Sequence, residues 1–254
     1  MIIYSILQYY IMFFKFLNYI WQEAYKKNTD NIIQLLDKDH DAIVLDIGCG
    51  DGQKSSLFKK KIGCKKIVGI DGVSKRLKAA RKRGIEVKLT NLEKKWPLFN
   101  NYFDVIISNQ VIEHIVDLDL FISEIYRVLK PNGYCVISTE NLSSWHNIFG
   151  LILGHQDFSH HLIKKSHVGN PLSPHFGEKT VAWSAKDNSG VDDTAFPHIK
   201  IMTYLSLIKV FKAYQLKFEK GLGSGYYPSC GIIAGILNKI DPIHSHFITI
   251  KVRK

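Results

Sequence analysis

Short apolar runs alternate with amphipathic ones along most of this chain. Ala42–Ile47 is apolar except for Asp46, Lys66–Ile70 ends at Asp71, and Glu86–Thr90, Phe103–Ser108 and Tyr134–Thr139 follow. Brief apolar runs bounded by turn residues are what strands buried on both faces look like. Between them lie helical patterns. Gln53–Lys61 is closed by Gly63, and a second helix begins at a Ser74 cap and stops at Gly84. A third, Leu118–Leu129, sets Phe121, Ile122, Ile125, Val128 and Leu129 on one face before Pro131-Asn132-Gly133 breaks it. Later come a helix at Tyr204–Ala213, a strand at Lys217–Lys220, a short helix at Ile232–Lys239 and a strand at Phe247–Val252. Strands alternating with helices predict an α/β protein with a doubly wound, Rossmann-like sheet.

Two regions depart from that rhythm. Residues 2–21 are apolar and aromatic, interrupted by Gln8, Lys15 and Asn18, and residues 22–37 read as a helix with Ala24, Ile32, Ile33, Leu35 and Leu36 on its apolar face. The first stretch reads as a helix packed on the domain, as a membrane-surface helix held by its aromatics, or as a span. The expectation is that it does not span. Residues 141–197 are rich in His, Ser, Gly and Pro and lie past the fifth strand. Ligands of open α/β sheets bind beyond the carboxyl ends of the strands, so this insertion is expected to be a lid or substrate-recognition element. The organisation is then an N-terminal segment, 1–38, and one domain over 39–254.

Composition narrows the class. A chain of 254 residues with 46% hydrophobic content suits one globular domain with an insertion. The four cysteines, Cys49, Cys64, Cys135 and Cys230, form no C-x-x-C, which argues against a zinc site or redox pair and for a reducing cytoplasm. The net charge of +11 suggests an anionic partner such as nucleic acid or a lipid surface. The blander reading, lysines on solvated helix faces, is preferred because no nucleic-acid module accompanies the charge. Peripheral membrane contact through the N-terminus stays open.

The chemistry concentrates at Val44-Leu45-Asp46-Ile47-Gly48-Cys49-Gly50-Asp51-Gly52. A buried strand, a glycine turn and a helix start form a nucleotide-type cradle, because glycine adopts positive φ and keeps no Cβ between backbone and ligand. The spacing is not G-x-G-x-x-G, since residue 53 is Gln53. It is acid-x-G-x-G-x-G, with Asp46, Gly48, Gly50 and Gly52 as candidate cofactor residues. Asp71, 25 positions after Asp46 at the end of the second strand, can accept both hydroxyls of a ribose. Asn91-Leu92, after the third strand, sit where a base edge and base face would be met.

The glycine pattern resembles motif I of the class I S-adenosylmethionine (SAM) dependent methyltransferases. Phe103-Asp104-Val105, then Glu113-His114, then Arg127-Val128-Leu129-Lys130-Pro131-Asn132-Gly133 resemble the UbiE-type (methyltransferase type 11) subgroup. The resemblance covers about residues 40 to 141. Asn91 stands where many members have Asp, and Asn132 replaces a glycine. The resemblance implies a seven-stranded sheet, mostly parallel with an antiparallel last strand. It also implies SAM at Gly48, Gly50, Asp71, Asn91 and Leu92, with Asn109 and Gln110 beside the methionine portion.

Methyl transfer to a hydroxyl needs a base within hydrogen-bond reach. The candidates are His114 and the histidines of the insertion, His146, His155, His160, His161, His167 and His175. No H-E-x-x-H or similar frame is present, so no metal is expected. The favoured function is methyl transfer to a small-molecule acceptor, such as a sugar or lipid-linked metabolite. The alternatives are RNA methylation and a SAM-binding scaffold without turnover.

Overall fold

The computed structural model describes residues 2–156, 169–170 and 198–254. In chain order the elements are α1 (Ile2–Leu35), β1 (Ile43–Ile47), α2 (Gln53–Ile62), β2 (Lys66–Asp71), α3 (Ser74–Lys82), β3 (Glu86–Leu89) and β4 (Phe103–Asn109). After a 3-10 turn at Ile112–His114 come α4 (Leu118–Val128), β5 (Leu129–Glu140), α5 (Trp145–Ile152), α6 (Tyr204–Ala213), β6 (Lys217–Ser224), α7 (Gly231–Ile240) and β7 (Phe247–Arg253). One seven-stranded sheet runs β3-β2-β1-β4-β5-β7-β6. β1 to β5 are parallel, and β7 runs antiparallel between β5 and β6. The seven strands and the antiparallel last one are as the resemblance implied.

The continuous apolar runs are explained by burial on both faces. Leu45, Ile47, Val68, Ile70, Ile106 and Ile137 face a core completed by Phe121, Ile125, Leu207 and Phe211 of α4 and α6. Their alternates Val44, Ile67, Val105, Ile107 and Val136 face the opposite layer, with Ile32, Leu35, Phe58, Ile62 and Ala80 from α1, α2 and α3. Each fully buried Phe or Ile contributes about 1.5–3 kcal/mol of burial.

Several boundaries differ from expectation. Residues 2–21 and 22–37 are not separate segments but one 34-residue helix. Its buried positions Leu17, Ile20, Ala24, Asn28, Asn31, Ile32 and Leu35 form one stripe at helical spacing, packed against β5, β6 and β7. Two asparagines, Asn28 and Asn31, interrupt that stripe. No described helix is long and apolar enough to cross a membrane. Ser74 is the first residue of α3 rather than its cap; Val73 holds that place, and its N–H goes to Asp71 Oδ1 at 2.8 Å. β6 runs on to Ser224 because Gly221–Ser224 continue the antiparallel pairing with Phe247–Ile250 of β7, and Asn31 Nδ2 of α1 donates to the Gly223 carbonyl at 3.0 Å. Within the expected insertion, α5 and residues 141–156 are ordered; His160, His161, His167 and His175 lie outside the described residues.

Candidate cofactor and acceptor site

The strand order reverses between β1 and β4, and the glycine loop leaves β1 at that switch point. Gly48, Gly50 and Gly52 have φ of 70°, 54° and 79°. The N–H groups of Gly48 and Cys49 both reach the Ile70 carbonyl, at 2.8 and 3.2 Å, which ties the loop to β2. Gly48 and Gly50 serve different ends. A Cβ at Gly48 would stand 2.4 Å from Val111 Cγ2, so this glycine lets the loop close on the turn after β4. A Cβ at Gly50 would meet nothing within 4 Å, so this glycine leaves open space beside the backbone. Asp46 is buried beneath the loop and accepts the Ser55 hydroxyl at 2.5 Å. Burial pushes its carboxyl up to about 7, against the lowering effects of the Ser55 hydrogen bond and the Lys54 charge. Asp46 therefore supports the loop from below. Burial, with the Asp46 and Asp71 charges adding to it, also pushes the Cys49 thiol up, so that sulfur is a packing group.

Asp71 holds the loop from the other side. Its Oδ2 accepts the Gly50 N–H at 3.0 Å and its Oδ1 accepts from Val73, so the carboxylate is fixed with a lone pair left on each oxygen for a diol. Past β3, Thr90 N–H binds the Asp71 carbonyl at 3.0 Å, which brings Asn91 and Leu92 up to the same edge. Asn91 is exposed and its Oδ1 caps the Glu93 N–H at 2.9 Å, while Leu92 is half-buried against the core. Past β4, Gln110 takes a φ of 56°, and its N–H binds the Ser138 carbonyl at 2.9 Å. Asn109 Oδ1 accepts from Asn28 Nδ2 at 2.9 Å. Thus Asp46, Gly48, Gly50, Gly52, Asp71, Asn91, Leu92, Asn109 and Gln110 all lie at or just past the carboxyl ends of β1 to β4.

Sequence reasoning missed what α1 adds there. Asn28 is fully buried and accepts the Ser138 and Thr249 hydroxyls at 2.6 and 2.9 Å while donating to Asn109. One side chain so joins β4, β5 and β7. One turn earlier, the Tyr25 ring stacks on Trp21 with centroids 5.1 Å apart. Lys54, in the first turn after the glycine loop, sits 3.9 Å over the Tyr25 ring and donates to its hydroxyl at 2.5 Å. The N-terminal helix thereby reaches the first turn of α2, beside the glycine loop.

Titratable groups gather beside it. Glu113 is buried and accepts the Thr139 hydroxyl at 2.9 Å. Burial, then the neighbouring Glu140 charge, pushes its carboxyl up to about 8. His114 stacks on His198 with centroids 4.8 Å apart and an 18° interplanar angle. Glu140 lies with Oε2 3.5 Å from His198 Nε2 and Oε1 4.0 Å from His246 Nε2. His246 in turn packs against His146 and Tyr227, at 4.9 and 5.1 Å between centroids. Of the sequence candidates, His114 and His146 enter this cluster and His155 is exposed at the end of α5. Glu140, His198 and His246 were not singled out, although an acid closing a buried strand, as Asp71 does, was a readable signal. Glu113, His114 and His198 each bring one ligand atom to within 4.8 Å of the others, the one such group among the described residues. Sequence spacing, which led to the expectation of no metal, is blind to a set drawn from two distant segments. A separate groove of about 270 Å³ between α1 and α7 includes none of the loop residues or Asp71.

A sheet of this order, with a glycine loop after β1, an acid closing β2 and a crevice at the switch point, defines the Rossmann-like class that takes SAM. Residues 45–137 match the family described as a methyltransferase domain. The mitochondrial ubiquinone biosynthesis O-methyltransferase of Rattus norvegicus is 30% identical over 122 residues, covering 44% of this chain and 35% of that protein. The ubiquinone biosynthesis O-methyltransferase of Bradyrhizobium diazoefficiens is 30% identical over 133 residues, covering 50% of this chain and 51% of that protein. The chain thus spans between about a third and a half of the length of these relatives. Among solved structures, a putative S-adenosylmethionine dependent methyltransferase from Listeria monocytogenes gives a TM-score of 0.58 at 18% identity, covering 89% of this chain and 97% of that one. The geranyl diphosphate C-methyltransferase from Streptomyces coelicolor gives 0.54 at 13% identity, covering 90% and 80%. These last two are likenesses of fold.

Proposed function

We propose that this protein transfers the methyl group of SAM to a small-molecule acceptor, with a hydroxyl as the acceptor group. The observation that carries the reading is the paired grip of Asp71 on Gly50 and Val73, which presents a fixed carboxylate to the ribose beside an open glycine backbone. Asp71 and the glycine loop hold the nucleoside, Leu92 packs on the adenine face, Asn91 meets its edge, and Asn109 and Gln110 flank the methionine. Asp46 and Gly52 keep the loop in shape. SAM supplies an activated methyl, so the protein's task is alignment of nucleophile and methyl, where orientation contributes roughly 7–11 kcal/mol. The acceptor enters between α1 and the 3-10 turn, with His114 beside its reacting group. A hydroxyl acceptor is favoured by the imidazoles and carboxylates gathered there, and it agrees with relatives named as O-methyltransferases.

Calorimetric titration of SAM into the purified protein tests this. Wild type is expected to bind, and Asp71→Ala to lose binding while still melting cooperatively. A wild type that binds no SAM overturns the proposal.

A further inference from the structure

We propose, resting on the methyltransferase reading above, that Lys54 and Tyr25 form the subsite for the carboxylate of SAM's methionine portion and so fix where the sulfonium methyl points. The two residues come from different elements and meet over one strand end. Lys54 is the second residue of α2, in the turn that follows the glycine loop at the end of β1. Tyr25 belongs to α1. Its ring lies 5.9 Å from that of Phe247, the first residue of β7, which pairs with Glu140 at the end of β5. β4 stands between β1 and β5 in the sheet. The contact of Lys54 Nζ with the Tyr25 hydroxyl, at 2.5 Å, therefore bridges the carboxyl end of β4, where Asn109 stands. Asn28 ties the same turn of α1 to that strand end, donating to Asn109 Oδ1 at 2.9 Å.

The charge on Lys54 has no structural partner. The residue is half-buried, yet among the described residues no carboxylate oxygen lies within 4.0 Å of its ammonium. Lys66, Lys130 and Lys251 each have one, from Glu86, Asp104 and Asp37. Helix stability does not explain the position either. A cation in the first turn opposes the helix dipole, and α2 keeps Lys59, Lys60 and Lys61 in its last turn. The ammonium gives one N–H to the phenol oxygen, which leaves its other N–H groups and the Tyr25 O–H free to donate. A carboxylate can accept from both residues at once through charge-assisted bonds. The ammonium also acts on both sides of the β1–β4 junction. Burial raises the Asp46 and Glu113 carboxyls, and the Lys54 charge works against that rise at each. The methionine portion, beside Asn109 and Gln110 in the reading above, ends in an anion within reach of this pair. SAM is then held at its ribose by Asp71 and at its carboxylate by Lys54 and Tyr25, which aligns the sulfonium between them.

Calorimetric titration with SAM and with decarboxylated SAM, which lacks only the carboxylate, tests the subsite. Wild type is expected to bind SAM more tightly by roughly 10-fold or more, the scale of a hydrogen bond to a charged group. Lys54→Met is expected to weaken SAM by about that factor and to leave decarboxylated SAM nearly as wild type binds it. Lys54→Arg keeps the charge and is expected to retain most of the affinity for SAM. Tyr25→Phe keeps the ring that stacks on Trp21 and removes the hydroxyl, so a smaller loss confined to SAM is expected. A merely structural role would not separate the two ligands. Lys54→Met weakening both ligands equally, or neither, overturns the subsite. So does a wild type that binds the two ligands equally, a comparison that needs no variant. A wild type that binds neither ligand overturns the methyltransferase function beneath it.

Discussion

Single atoms separate the glycines of the loop. The Cβ of Gly48→Ala would overlap Val111 at 2.4 Å, and the φ of 70° is strained for alanine as well. That substitution is expected to destabilise by about 1–3 kcal/mol, read as a lowered melting midpoint. Gly50→Ala has open space, so only the backbone term applies, about 1–2 kcal/mol. Its larger effect is expected on SAM affinity, because the added methyl enters the space beside the loop. A Gly50→Ala protein that keeps its SAM affinity would show that the cofactor does not approach there. The acid-x-G-x-G-x-G spacing was legible because each residue type answers a local backbone demand. Which glycine faces a neighbour and which faces open space was not legible, since Val111 is 63 positions from Gly48.

Among the elements, α1 is the one whose role changed most between sequence and structure. Its apolar stripe packs on β5, β6 and β7, and Asn28 replaces an apolar residue at the centre of that contact. The asparagine is satisfied by Asn109, Ser138 and Thr249, and those groups depend on it in turn. Asn28→Ala leaves buried polar atoms on β4, β5 and β7 without this partner. The expected cost is on the order of 3 kcal/mol, measured by denaturant unfolding. A change within about 0.5 kcal/mol, the range of an ordinary surface substitution, would show that the helix is only loosely docked. α2 and α4 needed no such correction. Gly63 closes α2 with its N–H on the Lys59 carbonyl, and Asp117 caps α4 by accepting from Leu120, both signals that lie within one turn of the helix they end.

For the whole molecule, the buried acids set how stability responds to pH. Folding raises the Asp46 carboxyl from 3.8 to about 7 and the Glu113 carboxyl from 4.5 to about 8. Between those values the folded protein holds protons that the unfolded chain has released. Both acids therefore make stability fall as pH rises through that window. Glu113→Gln removes its share, so the melting midpoint of the variant relative to wild type is expected to climb between pH 5 and 8. A difference that stays flat across that range would show that Glu113 is ionised in the folded state. The net charge of +11 plays no part in this argument. Lys59, Lys60 and Lys61 occupy the last turn of α2, and Arg81 and Lys82 that of α3, where cations suit the helix dipole.

The sequence alone determined the alternating strands and helices, the doubly wound class, the glycine cradle and the acid that closes β2. Those features repeat with the period of one element or fall within one turn, so neighbours in sequence suffice to read them. The tertiary structure decided the rest. It joined residues 2–35 into one helix docked on β5, β6 and β7, where the asparagines of its stripe find partners on the strands. It joined Glu113 and His114 to Glu140, His198 and His246, drawn from the ends of β4 and β5, the segment before α6 and the start of β7. Residues so far apart along the chain carry no shared period, and only the packing of the sheet brings their side chains to one place.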